Sequence, residues 1–411
     1  MFKSNRVAAV VTAALAGTLL TGATAAAVFA DDAVANKMKS LDEYAELYPA
    51  QTEGWLRLSE DGSKSMGSME ANFSTVLDVA FGMDGVPLYC GSCHNADYAA
   101  LTEELTEERM LQTDTAAGID VEYMGCGVCH TSDLAAGVDD RTSFWKSFIS
   151  EESWNACIAE DDQVCGQCHM LEPSSAYLLP EYAGTVDIYK YGATADGVFQ
   201  AMYEAWEENP IEITDVMVAN AFQVGATRID EATGALILGD NNKPILETYQ
   251  GGVHQSLGLT CTDCHMTAAV DEDGNAYTDH YACDPLKNEA ALELCLTCHE
   301  AQGIEDADAM VAFVRDDMAK LAEAQQSFKA DVAELQELLT EATASGDVDS
   351  QVLEEARWDY TRAVFYYQYQ AQLTSEKADQ GVTVAHNAAS TYETLEKGQA
   401  FAREGIALLG A

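Results

Sequence analysis

The chain has 411 residues, of which 69 are acidic and 21 are basic, so its formal net charge at pH 7 is −48. This excess of negative charge excludes a nucleic-acid-binding protein and a protein that binds anionic membrane surfaces. A hydrophobic content of 48% is sufficient for a large core, and the length suits one large domain or two smaller ones. The charge itself indicates a well-solvated surface, a field that attracts a basic partner protein, or both.

Residues 1–30 have the pattern of a secretory signal peptide. Lys3 and Arg6 form a short basic start, an apolar, alanine-rich run extends from Val7 to Phe29, and Ala30 ends the cleavage site. Without cleavage, the same run would be long enough to act as an N-terminal membrane anchor. The sequence therefore predicts an extracytoplasmic protein of the periplasm or cell envelope.

Five copies of the pattern Cys-x-x-Cys-His follow an N-terminal segment, residues 31–89, that contains neither cysteine nor histidine. The five motifs contain the pairs Cys90 and Cys93, Cys126 and Cys129, Cys165 and Cys168, Cys261 and Cys264, and Cys295 and Cys298, followed by His94, His130, His169, His265 and His299. In a c-type haem site the two thiols bond to the haem vinyl groups, and the histidine is the proximal ligand of the iron. The sequence therefore predicts five covalently bound haem c groups and a function that involves electron transfer.

The spacing of the motifs divides them into two groups. The first three lie at short intervals between residues 90 and 169, and the last two lie between residues 261 and 299. Such short intervals bring neighbouring haems within reach of electron tunnelling. The insertion between the groups contains turn-forming residues, among them Gly239 to Asn242, and nothing in it predicts an extended sheet.

From residue 305 onward the sequence predicts long helices. Apolar residues recur at helical spacing from Ala309 to Ala342, Gly346 interrupts the pattern, and further helices are predicted from Ser350 to Asp379 and from His386 to Leu409. The second of these helices carries an aromatic stripe that consists of Trp358, Tyr360, Phe365, Tyr366, Tyr367 and Tyr369. Such a stripe is typical of a core or an interface, and we expect a homodimer interface here.

These features predict a mainly α fold, namely a multihaem cytochrome c with five covalently bound haems and a C-terminal bundle of long helices. The predicted divisions are a signal peptide at residues 1–30, a pentahaem-binding domain at residues 31–304 and a C-terminal helical region at residues 305–411. The last region would carry the dimerisation surface and a distal haem ligand.

Three histidines lie outside the motifs, namely His254, His280 and His386. A haem with two strong axial ligands can only pass electrons, whereas a haem with an open position can bind a substrate. All three histidines follow the third motif, and we expect at least two of them to be distal haem ligands. Two haems then lack a histidine at the sixth position, so one could be open and the other could bind a methionine. The methionines available upstream are Met66, Met69 and Met83.

Two cysteines, Cys157 and Cys283, lie outside the motifs. In an extracytoplasmic protein a disulfide between them is the default expectation. Two unpaired buried thiols, or a role beside a haem, are the alternatives.

The chain resembles the pentahaem ammonia-forming cytochrome c nitrite reductase (cytochrome c552) family over almost all of its mature length. The segment from Tyr44 to Trp55 has Tyr-Pro, Gln and Trp at the intervals of that family. The third motif reads Cys-Gly-Gln-Cys-His, His254 precedes the fourth motif, and Tyr277 to His280 matches the segment between the last two motifs. The helical C-terminus that contains His386 corresponds as well.

The resemblance implies a set of distal ligands. By this resemblance, His254 binds the fifth haem, His280 binds the second and His386 binds the fourth, whereas the first haem has the open face. The distal histidine that the family supplies to the third haem is absent from this chain. Met69 lies nearest to it in register, with Met66 as the alternative.

The chain departs from the family at the nitrite pocket and at the calcium site. The family's pocket has an arginine before the first motif, a tyrosine after the third and a histidine before the fourth, and this chain has none of them at the expected positions. Lys243 replaces the pocket histidine and is the candidate catalytic residue near the first haem. Asp240, Asn242 and Glu172 replace the calcium ligands, so calcium binding would depend on their oxygen atoms. Pocket groups could also come from Tyr177, Tyr182 and Arg228.

Two functions are consistent with these features. The first is an electron-transfer cytochrome, which exchanges electrons with a membrane quinol-oxidising cytochrome or an exported flavoprotein. The second is a terminal reductase of nitrite, to ammonium, or of another small oxidised substrate at the first haem, where Lys243 would supply positive charge and a proton. Losing one preorganised donor from such a pocket typically lowers the rate by about 10²–10³-fold, which favours the first function.

Overall fold

The computed structural model describes residues 41–57, 126, 129–130, 145–174, 186–208, 227–242, 244–282, 284–371 and 383–410. Helix dominates these residues, and the helices are short before residue 300 and long after it. No helix within these ranges is both long and apolar enough to cross a membrane.

Polar side chains cap two of the short helices, those that follow Ser150 and Asn288. The Ser150 side chain accepts a hydrogen bond of 3.1 Å from the Ser153 amide, and the Asn288 side chain accepts one of 3.0 Å from the Ala290 amide. The helices are α1 (Leu41–Leu47), α2 (Pro49–Leu56), α3 (Glu151–Cys157), α4 (Gln163–Gly166), α5 (Ala195–Glu208), α6 (Ile245–Tyr249), α7 (Val253–Ser256), α8 (Cys261–His265) and α9 (Glu289–His299). Short 3-10 turns occur at Trp145–Phe148, Glu160–Asp162, Pro285–Lys287 and Glu300–Gln302.

Among the described residues, the strands form two-stranded antiparallel ladders of three residues each, and no larger sheet occurs there. They are β1 (Glu172–Ser174), β2 (Thr227–Ile229), β3 (Leu236–Leu238), β4 (Asp240–Asn242), β5 (Ala268–Val270) and β6 (Ala276–Thr278). β1 pairs with β4 so that Glu172 lies opposite Asn242, β2 pairs with β3, and β5 pairs with β6. The first ladder joins the segment after the third motif to the segment that precedes the fourth.

Long helices form the C-terminal bundle, and this prediction is confirmed. They are α10 (Ala307–Ser345), α11 (Ser350–Ala371) and α12 (Thr383–Leu409). The Asp306 side chain accepts a hydrogen bond of 2.8 Å from the Ala309 amide and caps α10. Gly346 adopts a left-handed conformation with φ of 67° and ends the helix. α11 begins at the predicted Ser350, and the end predicted for it at Asp379 lies outside the described residues.

α12 is divided near its beginning. It starts at Thr383, before the predicted His386, and Asn387 has a non-helical backbone with φ of −161° and ψ of 85°. The Asn387 side chain accepts a hydrogen bond of 3.2 Å from the Ser390 amide, as an N-cap does. His386 is therefore held on a first turn whose direction is independent of the rest of the helix.

The bundle and the haem-binding region share a hydrophobic core. Its most buried side chains include Phe148, Trp154, Tyr189, Phe328, Leu335 and Phe365. A smaller core connects α9, which ends in the fifth motif, to the beginning of α10, and it consists of Leu292, Met310, Val314 and Met318. The bundle thus supports the end of α9 that carries the last haem motif.

The aromatic stripe of α11 faces the core. Tyr360, Phe365, Tyr366 and Tyr369 are all buried. The ring of Phe199 on α5 lies 5.1 Å from that of Phe365 in an edge-on arrangement. These side chains pack within the chain, and the homodimer interface predicted for the stripe stays a prediction.

Two glycines allow α12 to pack closely against the other long helices. A Cβ atom at Gly398 would lie 2.5 Å from Tyr366 Cβ and 2.6 Å from Phe328 Cζ. A Cβ atom at Gly405 would lie 2.7 Å from Leu335 Cδ2. All three contacts are too short for a real side chain, so any larger residue at either glycine would push the helices apart.

Replacing Gly398 by alanine should lower the thermal unfolding midpoint of the haem-loaded protein. Overpacking costs about 1–3 kcal/mol, which exceeds the gain of about 1 kcal/mol that alanine brings to a helix. Far-ultraviolet circular dichroism would follow the transition. The control is Gly410→Ala, where the added Cβ meets only the Ile406 carbonyl oxygen at 3.2 Å. A midpoint for Gly398→Ala at or above that of the control would contradict the packing argument.

Candidate haem-binding site

Each described Cys-x-x-Cys-His motif forms a single helical turn. The amide of His130 donates to the carbonyl of Cys126 at 2.9 Å, and the amide of His169 donates to the carbonyl of Cys165 at 3.0 Å. The fourth motif is α8, and the fifth is the last turn of α9. Such a turn brings the first cysteine and the histidine to the same side of the backbone. The motif from Cys90 to His94 lies outside the described residues.

Each of the three histidines outside the motifs lies against a motif histidine. The ring centroids of His130 and His280 are 6.1 Å apart. Those of His254 and His299 are 6.4 Å apart, as are those of His265 and His386. A metal–imidazole bond is about 2.0–2.1 Å long, so two rings on opposite sides of one ion have centroids roughly 6 Å apart once the ring radii are added. The three separations therefore fit a metal ion between the rings of each pair.

Hydrogen bonds orient two of these rings. His280 Nδ1 lies 2.8 Å from the carbonyl oxygen of Thr278, and His254 Nδ1 lies 2.9 Å from that of Ala385. A carbonyl accepts only from a protonated Nδ1, so Nε2 of each ring carries a free electron pair. This is the tautomer that a metal-binding imidazole requires.

Two other rings contain a buried nitrogen atom without a hydrogen bond. These atoms are Nδ1 of His299 and Nδ1 of His386, for which the described residues provide no partner. A buried polar atom without a partner is costly. Nδ1 of these two rings lacks the orienting hydrogen bond that Nδ1 of His254 and of His280 makes.

Burial favours the neutral form of three of the paired histidines. Burial lowers the pKa of His280. Burial, with the nearby His254, lowers the pKa of His299, and burial, with the nearby His265, lowers the pKa of His386 to about 3. Because only the neutral imidazole can bind a metal, these shifts favour ligation at neutral pH.

Apolar side chains surround the pair formed by His254 and His299. Val253 and Leu257 flank His254, and they are 64% and 66% exposed. Phe313 is 50% exposed, and its ring centroid lies 5.9 Å from that of His299. A porphyrin between the two histidines would cover apolar surface of this kind, so the surroundings also fit a haem.

The third, fourth and fifth motifs lie next to one another. The thiols of Cys165 and Cys261 share a hydrogen bond, and the thiol of Cys264 lies close enough to Cys295 for the two to interact electrostatically. The buried carboxylate of Asp162 accepts hydrogen bonds of 3.1 Å from the amide and from the thiol of Cys261. The motifs thus form a continuous series from the third to the fifth.

Contacts with α12 join the ligand candidates His254 and His386. The hydrogen bond from His254 ends at Ala385, the residue before His386. A Cβ atom at Gly252 would lie 2.7 Å from the carbonyl oxygen of His386. The Asn387 side chain donates to the carbonyl of Gln250 at 3.2 Å. The segment before α8 and the first turn of α12 therefore position each other.

Several predicted residues lie outside the part of the chain that the structure describes. These are Cys90, Cys93, His94, Met66, Met69, Met83, Lys243, Tyr177, Tyr182 and Cys283. Arg228 is described and lies near Tyr360 of α11. The backbones of Glu172, Asp240 and Asn242 meet in the ladder of β1 and β4, and calcium binding there stays a prediction. Cys157 forms no disulfide with any described residue.

A buried carboxyl group that the sequence did not reveal lies beside the third motif. Oε1 of Glu247 accepts a hydrogen bond of 2.8 Å from the Leu171 amide and a short one from the Tyr189 hydroxyl. The residue is 4% exposed, and burial raises the pKa of Glu247 to about 7. The neighbouring amide of Leu246 donates to the carbonyl of His169 at 2.8 Å. α6 therefore holds the backbone that follows the third motif.

The chain is similar in sequence to proteins of one known family. Residues 74–410 match the family model described as cytochrome c552. A cytochrome c-552 of Haemophilus ducreyi is 44% identical over 57 residues, which are 14% of this chain and 11% of that protein. The cytochrome c nitrite reductase subunit NrfA of Nitratidesulfovibrio vulgaris is 27% identical over 262 residues, which are 60% of this chain and 44% of that protein. The chain thus aligns with less than half the length of these two relatives.

A solved structure is similar in fold. It is the cytochrome c nitrite reductase from Desulfovibrio desulfuricans, for whose catalytic subunit two calcium sites are described. The TM-score is 0.56 and the sequence identity is 16%, and the similarity covers 87% of this chain and 74% of that chain. The predicted mainly α fold is confirmed by this likeness.

The buried Glu247 should make the stability of the protein depend on pH. Its pKa is raised from 4.5 to about 7, so the folded state favours the neutral carboxyl. The neutral carboxyl therefore stabilises the folded state fully below pH 4.5. This contribution to the free energy of unfolding is lost as the pH rises through about 7, by an amount on the order of 3 kcal/mol. Thermal midpoints measured from about pH 5 to about pH 9 should therefore fall less in Glu247→Gln than in the wild type.

The control for that experiment is Glu204→Gln, which changes a carboxylate paired at 2.9 Å with Lys190 near the surface. This control should keep the wild-type pH dependence. An equal fall of the midpoint in Glu247→Gln and in the wild type would assign the pH dependence to other groups.

Proposed function

The chain belongs to the cytochrome c552 family, and from this premise we propose that it is an exported pentahaem cytochrome that moves electrons in extracytoplasmic anaerobic respiration. Membership of the family implies covalently bound haem c. The number of five haems follows from the five motifs. The extracytoplasmic location follows from the signal-peptide pattern of residues 1–30.

The three histidine pairs are the observation that carries the proposal. We assign His130 and His280 to the second haem, His265 and His386 to the fourth, and His299 and His254 to the fifth. In each pair the motif histidine is the proximal ligand and the other histidine is the distal ligand. A haem iron that has two imidazole ligands is coordinatively full and exchanges electrons without binding a substrate.

The protein's own groups prepare these sites. Backbone carbonyls hold Nδ1 of His254 and of His280, so that Nε2 of each ring is available as a ligand. Burial lowers the pKa of His280 and of His386 and so favours their neutral form. The rings are thus oriented by the fold, which reduces the rearrangement that electron transfer requires.

The contacts between motifs support a route for electrons. The third motif touches the fourth through Cys165 and Cys261, and the fourth approaches the fifth through Cys264 and Cys295. Haems attached to neighbouring thiols are necessarily close to one another. We therefore propose that electrons pass along the third, fourth and fifth haems in series.

A second candidate function is a terminal reductase of nitrite or of another small oxidised substrate at the haem attached to Cys90 and Cys93. The observation that favours it is the histidine count, because the eight histidines comprise the five of the motifs and the three assigned above. No histidine remains as a distal ligand for the first haem. Met69 is the proposed ligand of the third haem, and Lys243 is the proposed catalytic residue at the first.

The partner is proposed to be a basic region of a redox protein, either a membrane quinol-oxidising cytochrome or an exported flavoprotein. The support is the net charge of −48, which accelerates encounters with a positively charged partner. A homodimer that uses the C-terminal helical region, residues 305–411, is proposed as well.

Replacing His254, His280 or His386 by alanine should each convert one low-spin haem to the high-spin state. The reason is that each variant removes the distal ligand from one iron. Electron paramagnetic resonance and the absorption spectrum of the oxidised protein would measure the change. Lys190→Ala, which breaks an exposed ion pair with Glu204, should leave the spectra unchanged. Unchanged spectra in all three histidine variants would contradict the ligand assignment.

Adding nitrite or hydroxylamine separates the two functions. An electron carrier should show no spectral shift of a high-spin haem and no ammonium when a reduced dye supplies electrons. A shift accompanied by ammonium would contradict the carrier function and support the reductase. Lys243→Ala should then lower the rate of ammonium formation by about 10²–10³-fold, as expected for the loss of one pocket donor.

A further inference from the structure

The N-terminal helix α2 docks on the turn that carries His280. Arg57, the residue that follows α2, places Nη1 2.8 Å from Oδ2 of Asp279. The same guanidinium lies over the ring of Tyr281, 5.3 Å from its centroid. One side chain therefore contacts the residues on both sides of His280, although 222 positions separate Arg57 from Asp279 in the sequence.

Gly54 brings the backbone of α2 against the same turn. A Cβ atom at this position would collide with Oδ1 of Asp279 and would lie 3.0 Å from the amide nitrogen of His280 and 3.2 Å from that of Tyr281. Gly54 itself is buried. Contact at this distance requires glycine, and the N-terminal segment is therefore fitted to the backbone of the turn.

Asp279 connects these contacts to the ring of His280. The residue is 8% exposed, and while Oδ2 binds Arg57, Oδ1 accepts a hydrogen bond of 3.1 Å from the Tyr281 amide across the turn. The amide of Asp279 donates to the Thr267 carbonyl at 2.9 Å. A buried carboxylate that loses its cationic partner is costly, so the turn would rearrange if Arg57 were removed.

We propose that Gly54 and Arg57 are positioning residues for His280, so that the N-terminal segment controls the coordination of the haem attached to Cys126 and Cys129. The inference rests on the proposed function, in which His280 and His130 bind the same iron. When α2 is docked, the ring of His280 lies 6.1 Å from that of His130, where the two rings could hold that iron. Undocked α2 frees the turn and opens the distal position.

The alternative is an ion pair that stabilises the fold without affecting the ligand. The Arg57 side chain is 40% exposed, and an ion pair at such a site typically contributes little to stability. A purely structural role would alter the unfolding midpoint and leave the haem spectra unchanged. The test therefore measures coordination directly.

The experiment compares Arg57→Ala, Arg57→Lys and Gly54→Ala with the wild type, each loaded with haem. Carbon monoxide is added to the reduced protein, and electron paramagnetic resonance is recorded on the oxidised protein. Arg57→Ala and Gly54→Ala should each gain one haem per chain that binds carbon monoxide and gain its high-spin signal. Arg57→Lys should restore much of the low-spin state, because lysine can still pair with Asp279.

Arg403→Ala is the matched control, because it removes another arginine–aspartate pair, with Asp331, whose length is also 2.8 Å. It should bind no additional carbon monoxide. His280→Ala distinguishes the positioning role of Arg57 from the assignment of His280 as a haem ligand. If His280→Ala opens a haem and Arg57→Ala does not, the positioning role is wrong and the ligand assignment stands. If His280→Ala opens none, both are wrong.

Should Gly54→Ala fail to accumulate as folded protein, Arg57→Ala and Asp279→Asn decide the question. Asp279→Asn keeps the shape of the side chain and removes the charge that Arg57 binds. It should open the same haem to carbon monoxide as Arg57→Ala does. The double variant, Arg57→Ala with Asp279→Asn, should bind no more carbon monoxide than either single variant. Additional binding in the double variant would overturn the proposal that the two residues act on a single ligand.

Discussion

The meeting of histidines that are far apart in the chain is the constraint on which the rest of the site depends. His280 is held on a turn after β6, His254 lies in α7, and His386 lies on the separated first turn of α12. Tertiary packing must bring each ring to about 6 Å from its partner, because a metal ligand that is misplaced by a fraction of a bond length is lost. Gly54 packs against the turn that carries His280, and Gly252 packs against the carbonyl of His386, so close backbone contacts help to fix these separations.

The parts of this protein that could be predicted from its sequence are those in which the signal is local. A Cys-x-x-Cys-His motif contains its whole chemistry in five positions, and the apolar spacing of α10 runs without a break until Gly346. Pairings between distant segments carry no such signal. Only the resemblance to the cytochrome c552 family, now confirmed by the family match, associated each spare histidine with a particular motif.

The buried acidic groups show why composition alone could not reveal the remaining features. In a chain with 69 acidic residues, Asp162, Glu247 and Asp279 look like members of a solvated surface. Each is instead buried beside a motif or a ligand candidate, where backbone amides, a tyrosine or an arginine compensates for the lost water. The contact between Gly54 and the turn that carries His280 could not be predicted from the sequence either, because it depends on how two distant segments pack together.

The hydrogen bond between His254 and Ala385 has a consequence for the biogenesis of the protein. It spans 131 positions, and a chain that emerges from its N-terminus completes it only when the last helix arrives. On the proposed assignment, that same arrival delivers His386 to the fourth haem. The second haem can acquire both its ligands much earlier, whereas the last helix brings both the distal ligand of the fourth haem and the carbonyl that orients His254 at the fifth. A chain truncated before residue 385 would therefore lack the distal ligand of the fourth haem and the contact that orients His254, although it would retain all five attachment motifs.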